Sequence, residues 1–178
     1  LTSDKHGGQV ILLPGGAKPY LSPGQIDKGV IFTDLQTAEL ENPKLVARIT
    51  GQTVRPEEGK FAALAGALAQ NGVVLYVPKG VTVDQPLNSL LWGPGVDLAF
   101  LSHILVWVDE GASVTYVHEA ASPNENRPAM HAGIVEIMVS DNASLRFVEL
   151  QSWGRHVWNF SHERVSVGRD GKLDWIFG

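Results

Sequence analysis

The chain has 178 residues, 44% of them hydrophobic, and a formal net charge of -5, which allows one main domain with a real core. A sequence pI near 5.6 with no run of Lys or Arg argues against nucleic acid and anionic membranes as partners, and no apolar run approaches the ~20 residues that span a bilayer. The absence of cysteine excludes disulfides, thiolate nucleophiles and thiolate metal sites together.

No charged-then-apolar leader opens the sequence, and the reading is of a cytoplasmic protein. The chain begins with Leu1 and stops at Trp175-Ile176-Phe177-Gly178 inside a strand-like run, so it reads as a piece of something longer.

Residues 1–71 are expected to form an N-terminal loop and helical segment. Residues 7–29 hold three prolines and six glycines around one apolar run, which predicts a short strand and loops. Thr33 and Gln36 have capping-box spacing for a helix from Asp34 that stops near Asn42, because Pro43 cannot continue it. Asn42 then caps a second short helix through Ile49, with Pro43 at its first position. From Pro56, the run PEEGKFAALAGALAQNG predicts a third helix with Phe61, Leu64 and Leu68 on one face and a stop at Asn71-Gly72.

After Gly72 the period changes to two, and one phrase recurs: Lys79-Gly80-Val81-Thr82-Val83, Glu110-Gly111-Ala112-Ser113-Val114, Asp141-Asn142-Ala143-Ser144-Leu145 and Arg169-Asp170-Gly171-Lys172-Leu173. The closing residues 83, 114, 145 and 173 are spaced by 31, 31 and 28, a period that marks a stacked repeat. Each phrase is an apolar strand, a tight turn with a small or φ-positive residue, and a second alternating strand. One such unit cannot bury its apolar face alone, whereas stacked coils can. Residues 72–178 are therefore expected to be a β-solenoid, the core being cut off at its C-terminal end. Val114 and Leu145 should lie in neighbouring parallel strands; a hairpin-based jelly roll is the competing architecture. The last coil should leave unpaired backbone groups at its edge and allow self-association there.

Several separated motifs then resemble one family in the right order: FTDLQTA (Phe32–Ala38), KFAAL (Lys60–Leu64), GVVLYVPKGV (Gly72–Val81), Gln151-Ser152-Trp153 followed by Trp158-Asn159-Phe160, and Asp174–Gly178. Over roughly residues 30–178 the sequence resembles the SufB/SufD family of iron–sulfur cluster assembly proteins. The resemblance implies a right-handed parallel β-helix preceded by short α-helices, and a C-terminal helical domain that this stretch does not contain. It also implies a scaffold role without turnover of a substrate, in a complex with a SufB-like paralogue and a SufC-like ATPase that assembles and delivers clusters. No resident cofactor is expected in this stretch, the cluster being held transiently by the complex, and nothing in the sequence assigns a flavin. SufB-like members tend to carry Cys in an E-G-C-T-A-P-like phrase where this chain reads Glu119-Ala120-Ala121-Ser122-Pro123. They also tend to carry Lys beside the Asn-Phe strand, where this chain reads Asn159-Phe160-Ser161-His162-Glu163. Both departures remove groups suited to carrying sulfur, which favours the SufD-like side of the family.

The candidate functional surface is Gln151, Trp153, His156 and His162. Gln151 and Trp153 match the family's Q-x-W motif; they either line the place where cluster components meet, or serve as a coil-end filler and a turn hydrogen bonder. His103, His118, His131, His156 and His162 are possible metal ligands, yet no pair has helical i, i+4 or H-x-H strand spacing. Stacking would have to bring His118 to His131, or His156 to His162. The carboxylate pairs Asp109-Glu110 and Glu57-Glu58 sit beside a turn and a helix start, and no spacing suggests two acids converging on one cleft. A small cupin-like metal-dependent enzyme is the alternative function; it requires a His-x-His that this chain lacks.

Overall fold

The structure is a computed structural model that describes residues 6–93 and 95–178. It is a mainly β protein, a β-solenoid of about three turns with a few short helices. The first strands are β1 (Gly8–Leu13) and β2 (Gly16–Leu21), followed by helix α1 (Pro23–Asp27) and strand β3 (Ile31–Asp34). Helices α2 (Leu35–Glu41), α3 (Pro43–Ile49) and α4 (Lys60–Leu68) precede β4 (Asn71–Val77) and β5 (Leu87–Trp92). The stacked coils continue with β6 (Ala99–Val108), β7 (Ser113–Ala121), β8 (Ala129–Val139), β9 (Ser144–Ser152), β10 (Val157–Val167) and β11 (Lys172–Phe177).

The strands form two sheets, in the orders β11-β9-β7-β5-β1-β2 and β10-β8-β6-β4-β3. Val114 pairs with Leu145, and Leu145 with Leu173, in parallel register; Ile104 likewise pairs with Val135. The sequence period is thus the pairing register itself, and the jelly-roll and cupin-like architectures are excluded. The tight turns repeat as well. Gly80, Gly111, Asn142 and Asp170 all have φ between 55° and 71°, the left-handed conformation that Gly, Asn and Asp adopt most readily.

The inward faces of the two sheets hold the main core, with Val73, Leu75, Ile104, Val106, Val114, Tyr116, Ile137, Leu145 and Phe147 among its members. The outer face of the five-stranded sheet is covered by helices. Leu35, Ala38, Val46 and Ile49 pack on Val74, Leu105 and Trp107, and Ala62 and Ala65 of α4 pack near Ala132 and Ile134.

Several local expectations shift. Residues 7–29 form a β1–β2 hairpin and α1 where their composition predicts one strand and loops, and β3 follows at Ile31–Asp34. Pro19 fits because β2 is the outermost strand of its sheet, where a missing N–H interrupts no ladder. The cap of α2 is Asp34, which accepts the Thr37 N–H at 3.0 Å, because Thr33 is used in pairing β3 to Val74 of β4. Asn42 does precede α3, with no side-chain cap bond. The predicted third helix divides into a single 3-10 turn, Pro56–Glu58, and α4. Its buried side is Ala62 and Ala65, while Leu68 is exposed. Small residues let the helix lie close to the sheet, and Phe61 instead stacks on Phe160 with ring centroids 3.7 Å apart.

The first coil also departs from the repeat. Only Thr82 bridges to Ser113 in its phrase, and regular pairing resumes at Leu87, opposite Tyr116. The segment 84–86, with Pro86 unable to donate to the ladder, separates the two.

Candidate functional site: a polar chamber between the sheets

Alternation along each strand divides the solenoid interior into two halves. Near the tight turns the inward residues are apolar. Toward the opposite loops they become polar: Ser89 on β5, Ser102 on β6, His118 on β7, His131 on β8, Glu149 and Gln151 on β9, and Asn159 and Glu163 on β10. Ser89, Ser102, His118, His131 and Glu149 are all buried, so each must find a partner inside the protein.

The partners form two connected chains. Ser89 Oγ lies 2.7 Å from the Tyr116 hydroxyl and 2.7 Å from His118 Nδ1. The second chain begins at Asn159, whose Nδ2 donates to Gln151 Oε1 at 3.0 Å. Asn159 Oδ1 is then the acceptor for His131 Nδ1–H at 2.7 Å. That fixes the His131 tautomer, leaving Nε2 to accept the Ser102 hydroxyl at 2.8 Å. Gln151 Oε1 also accepts the Trp153 indole N–H at 3.1 Å, and Gln151 Nε2 donates to Glu149 Oε1 at 2.8 Å. Trp153 closes the chamber by stacking on His131, with ring centroids 4.8 Å apart.

Electrostatics follow from burial. Desolvation, with the neighbouring His131 charge adding to it, brings His118 down to about 3, so its imidazole is neutral. Burial also lowers His131, against the opposing bond to Asn159. Glu163 is pushed up to about 8, first by burial, then by the charge of Glu149 and a hydrogen bond with it, Ser161 opposing. Two carboxyls that share one low-dielectric space cannot both ionise readily. A protonated Glu163 is placed to hydrogen-bond to the Glu149 carboxylate, whose Oε2 is buried with no partner among the described groups.

The predicted surface residues separate. Gln151 bonds to Glu149, Trp153 and Asn159 rather than to a turn. His118 and His131 come close enough to influence each other, but their bonded nitrogens are occupied by Ser89, Ser102 and Asn159. His156 and His162 are not brought together: six residues of extended chain separate them by about 20 Å. His156 is exposed beyond the start of β10, and His162 lies on the outer face near Gly59. Among the described residues, no group of three or more His, Asp or Glu is placed to hold a metal.

His103 belongs to a different cluster, on the outer face. Its Nε2 lies 2.9 Å from Glu136 Oε1, and the Glu136 carboxylate accepts the backbone N–H groups of Gly51, Thr53 and Val54.

The convergence of Glu149 and Glu163, with Tyr116 close to Glu149, was not anticipated from the sequence. A signal existed, because Ser89, His118 and Glu149 occupy one register row across β5, β7 and β9. That row becomes visible only when the coils are aligned and the inward parity is known. The exposed pairs behave as expected: Glu110 meets Lys79 at 2.7 Å and Glu58 meets Arg164 at 2.7 Å, all at the surface.

No helix among the described residues is long and apolar enough to cross a membrane. Two family models match the sequence. The model described as SUF system FeS cluster assembly, SufBD core domain, matches residues 93–178, and the model described as SufBD protein N-terminal region matches residues 17–88. Among similar curated proteins, an iron-sulfur cluster assembly SufBD family protein of Staphylococcus epidermidis is 34% identical over 152 residues, covering 85% of this chain and 33% of that protein. Its counterparts in Staphylococcus haemolyticus and Staphylococcus aureus are 34% and 33% identical over the same length, with the same coverage. The chain thus spans about a third of the length of the curated relatives it matches. Matching the N-terminal and core models in order, and carrying the stacked coils in the register its sequence dictates, the chain belongs to the SufBD family of iron–sulfur cluster assembly proteins.

Proposed function

We propose that this chain is a SufD-like scaffold subunit of the cytoplasmic SUF machinery, working with a SufB-like paralogue and a SufC-like ATPase and turning over no substrate of its own. The observation that carries this reading is the chemistry of its interior. The 178 residues contain no cysteine, so no thiolate is present in them to accept sulfur or ligate iron. Ala121 stands in the phrase where SufB-like members carry Cys, and Glu163 in the phrase where they carry Lys. An acid in place of a base disfavours an anionic sulfur species nearby. Gln151 and Trp153 have their polar atoms committed to the internal network, which suits a rigid support. The cluster is then cargo of the assembled complex.

The test is anaerobic co-expression of the full-length chain with its own SufB-like and SufC-like partners, followed by affinity capture and iron and sulfide analysis. A stable complex that loses bound iron when this subunit is omitted supports the scaffold. Purification of the chain alone, with no affinity for either partner, sinks it.

A further inference from the structure

The Glu149–Glu163 contact sits where a solenoid interior normally holds either apolar side chains or matched polar pairs. Glu149, on β9, is 2% exposed, and its Oε2 is buried with no partner. Glu163 reaches it from β10, in the opposite sheet, on the same inward face as Val165, which packs against the core. The titratable groups on the facing strands are Tyr116 and His118 from β7 and His131 from β8. The phenol and both imidazoles are neutral, so none compensates a carboxylate. Among the described residues no Lys or Arg answers the pair either: the ion pairs of Lys28, Lys79, Arg127, Arg146 and Arg164 all lie at exposed positions. The chamber therefore holds two carboxyls with Glu149 Oε1 bonded to Gln151 and Glu149 Oε2 buried and unsatisfied, and no positive charge among the described residues answers them.

We propose that Glu149 and Glu163 form a binding site for one hard divalent cation, which ties the two sheets together. The class of ion follows from the donors on hand. Both His131 nitrogens and His118 Nδ1 are spent on Ser102, Asn159 and Ser89, and among the described residues no third His, Asp or Glu is placed to join the two carboxylates around a metal. Two carboxylates without a third acid or imidazole suit an ion that retains several waters, as Mg²⁺ and Mn²⁺ do. Water has a route, since Ser161 on the same inward face of β10 is exposed. This site involves none of the assembly partners and stands or falls separately from the scaffold reading.

The experiment titrates the chelator-treated full-length chain with Mn²⁺, following free Mn²⁺ by electron paramagnetic resonance. One saturable site is expected. Glu149→Gln and Glu163→Gln, which keep the side-chain shape, should each weaken it at least tenfold while leaving the circular dichroism spectrum unchanged. Should Glu149→Gln fail to fold, the half-buried Glu163→Gln decides, together with a rise in the wild-type melting temperature on adding Mn²⁺. Absence of a saturable site in the wild type, or an affinity within twofold of wild type in Glu163→Gln, overturns the proposal.

Discussion

Glu136 Oε1 lies 2.9 Å from His103 Nε2 on the neighbouring strand, and the same carboxylate holds the backbone of Gly51, Thr53 and Val54, the connection between α3 and α4. One buried acid thus fastens the helical layer to the solenoid. Replacing Glu136 by Ala strands three backbone donors and a histidine at once. The expected cost is about 3–5 kcal/mol, the range for breaking a buried, hydrogen-bonded charge. Glu136→Gln should cost less, because its amide oxygen still accepts. Urea denaturation of both variants measures the difference.

The same acid makes the fold acid-labile. Burial raises the Glu136 carboxyl, but the His103 bond and the backbone N–H groups outweigh it and bring it down to about 2. A folded-state value below the unfolded one means stability that is present above pH ~4.5 and lost as the pH falls toward 2. Neutral His118 adds a loss of the same sign, beginning below pH ~6.5 and continuing toward about 3. Stability curves of wild type and Glu136→Gln should therefore converge in acid; parallel curves from pH 6 to 2 would contradict the assignment.

Glu163 works in the opposite direction. Its folded-state value of about 8 lies above the ordinary carboxylate range, so its contribution is complete below pH ~4.5 and is lost as the pH rises through 8. In metal-free buffer, Glu163→Gln should match wild type near pH 5 and exceed it at pH 9 by about 2–4 kcal/mol. Melting temperatures at the two pH values give the answer, and a variant equally stabilised at both would show that like-charge repulsion is not the cause.

Asn159 is the joint of the second hydrogen-bond chain, bonded to His131 on one side and Gln151 on the other. Asn159→Ala leaves a buried imidazole N–H without an acceptor and takes a donor from the Gln151 carbonyl, at an expected cost of about 1–3 kcal/mol. It should also free His131 to rotate away from Trp153, seen as a change in tryptophan emission. Loss of stability without any spectral change would mean that the stack holds independently of the network.

The fold was legible because its strongest signal is redundant. The recurrence of Val83, Val114, Leu145 and Leu173 and the turn residues Gly111, Asn142 and Asp170 each announce the same coil. The N-terminal hairpin was not, since β2 turns only Ala17 and Leu21 toward the core and carries Lys18 and Pro19 where alternation should be clearest. The burial of Ala62 in place of Leu64 and Leu68 depends on how close α4 approaches the sheet, a tertiary distance that no helical period encodes. The Glu149–Glu163 contact was hidden for a related reason. Its members are near in sequence but belong to opposite sheets, and they meet only because inward parity holds on both strands.

The loops between coils differ in length while the turns do not. Residues 122–128 join β7 to β8 and residues 153–156 join β9 to β10, a difference of three that accounts for the shortening of the period from 31 to 28. The turn opposite keeps its size through every coil. The solenoid therefore works like a bound volume, with the tight turns as its spine and the loops as its fore-edge. Residues can be added or removed at the fore-edge without disturbing the stitching, and that is the side on which Trp153 and the polar chamber lie. Variation in what the protein holds there is uncoupled from the pairing that keeps it folded.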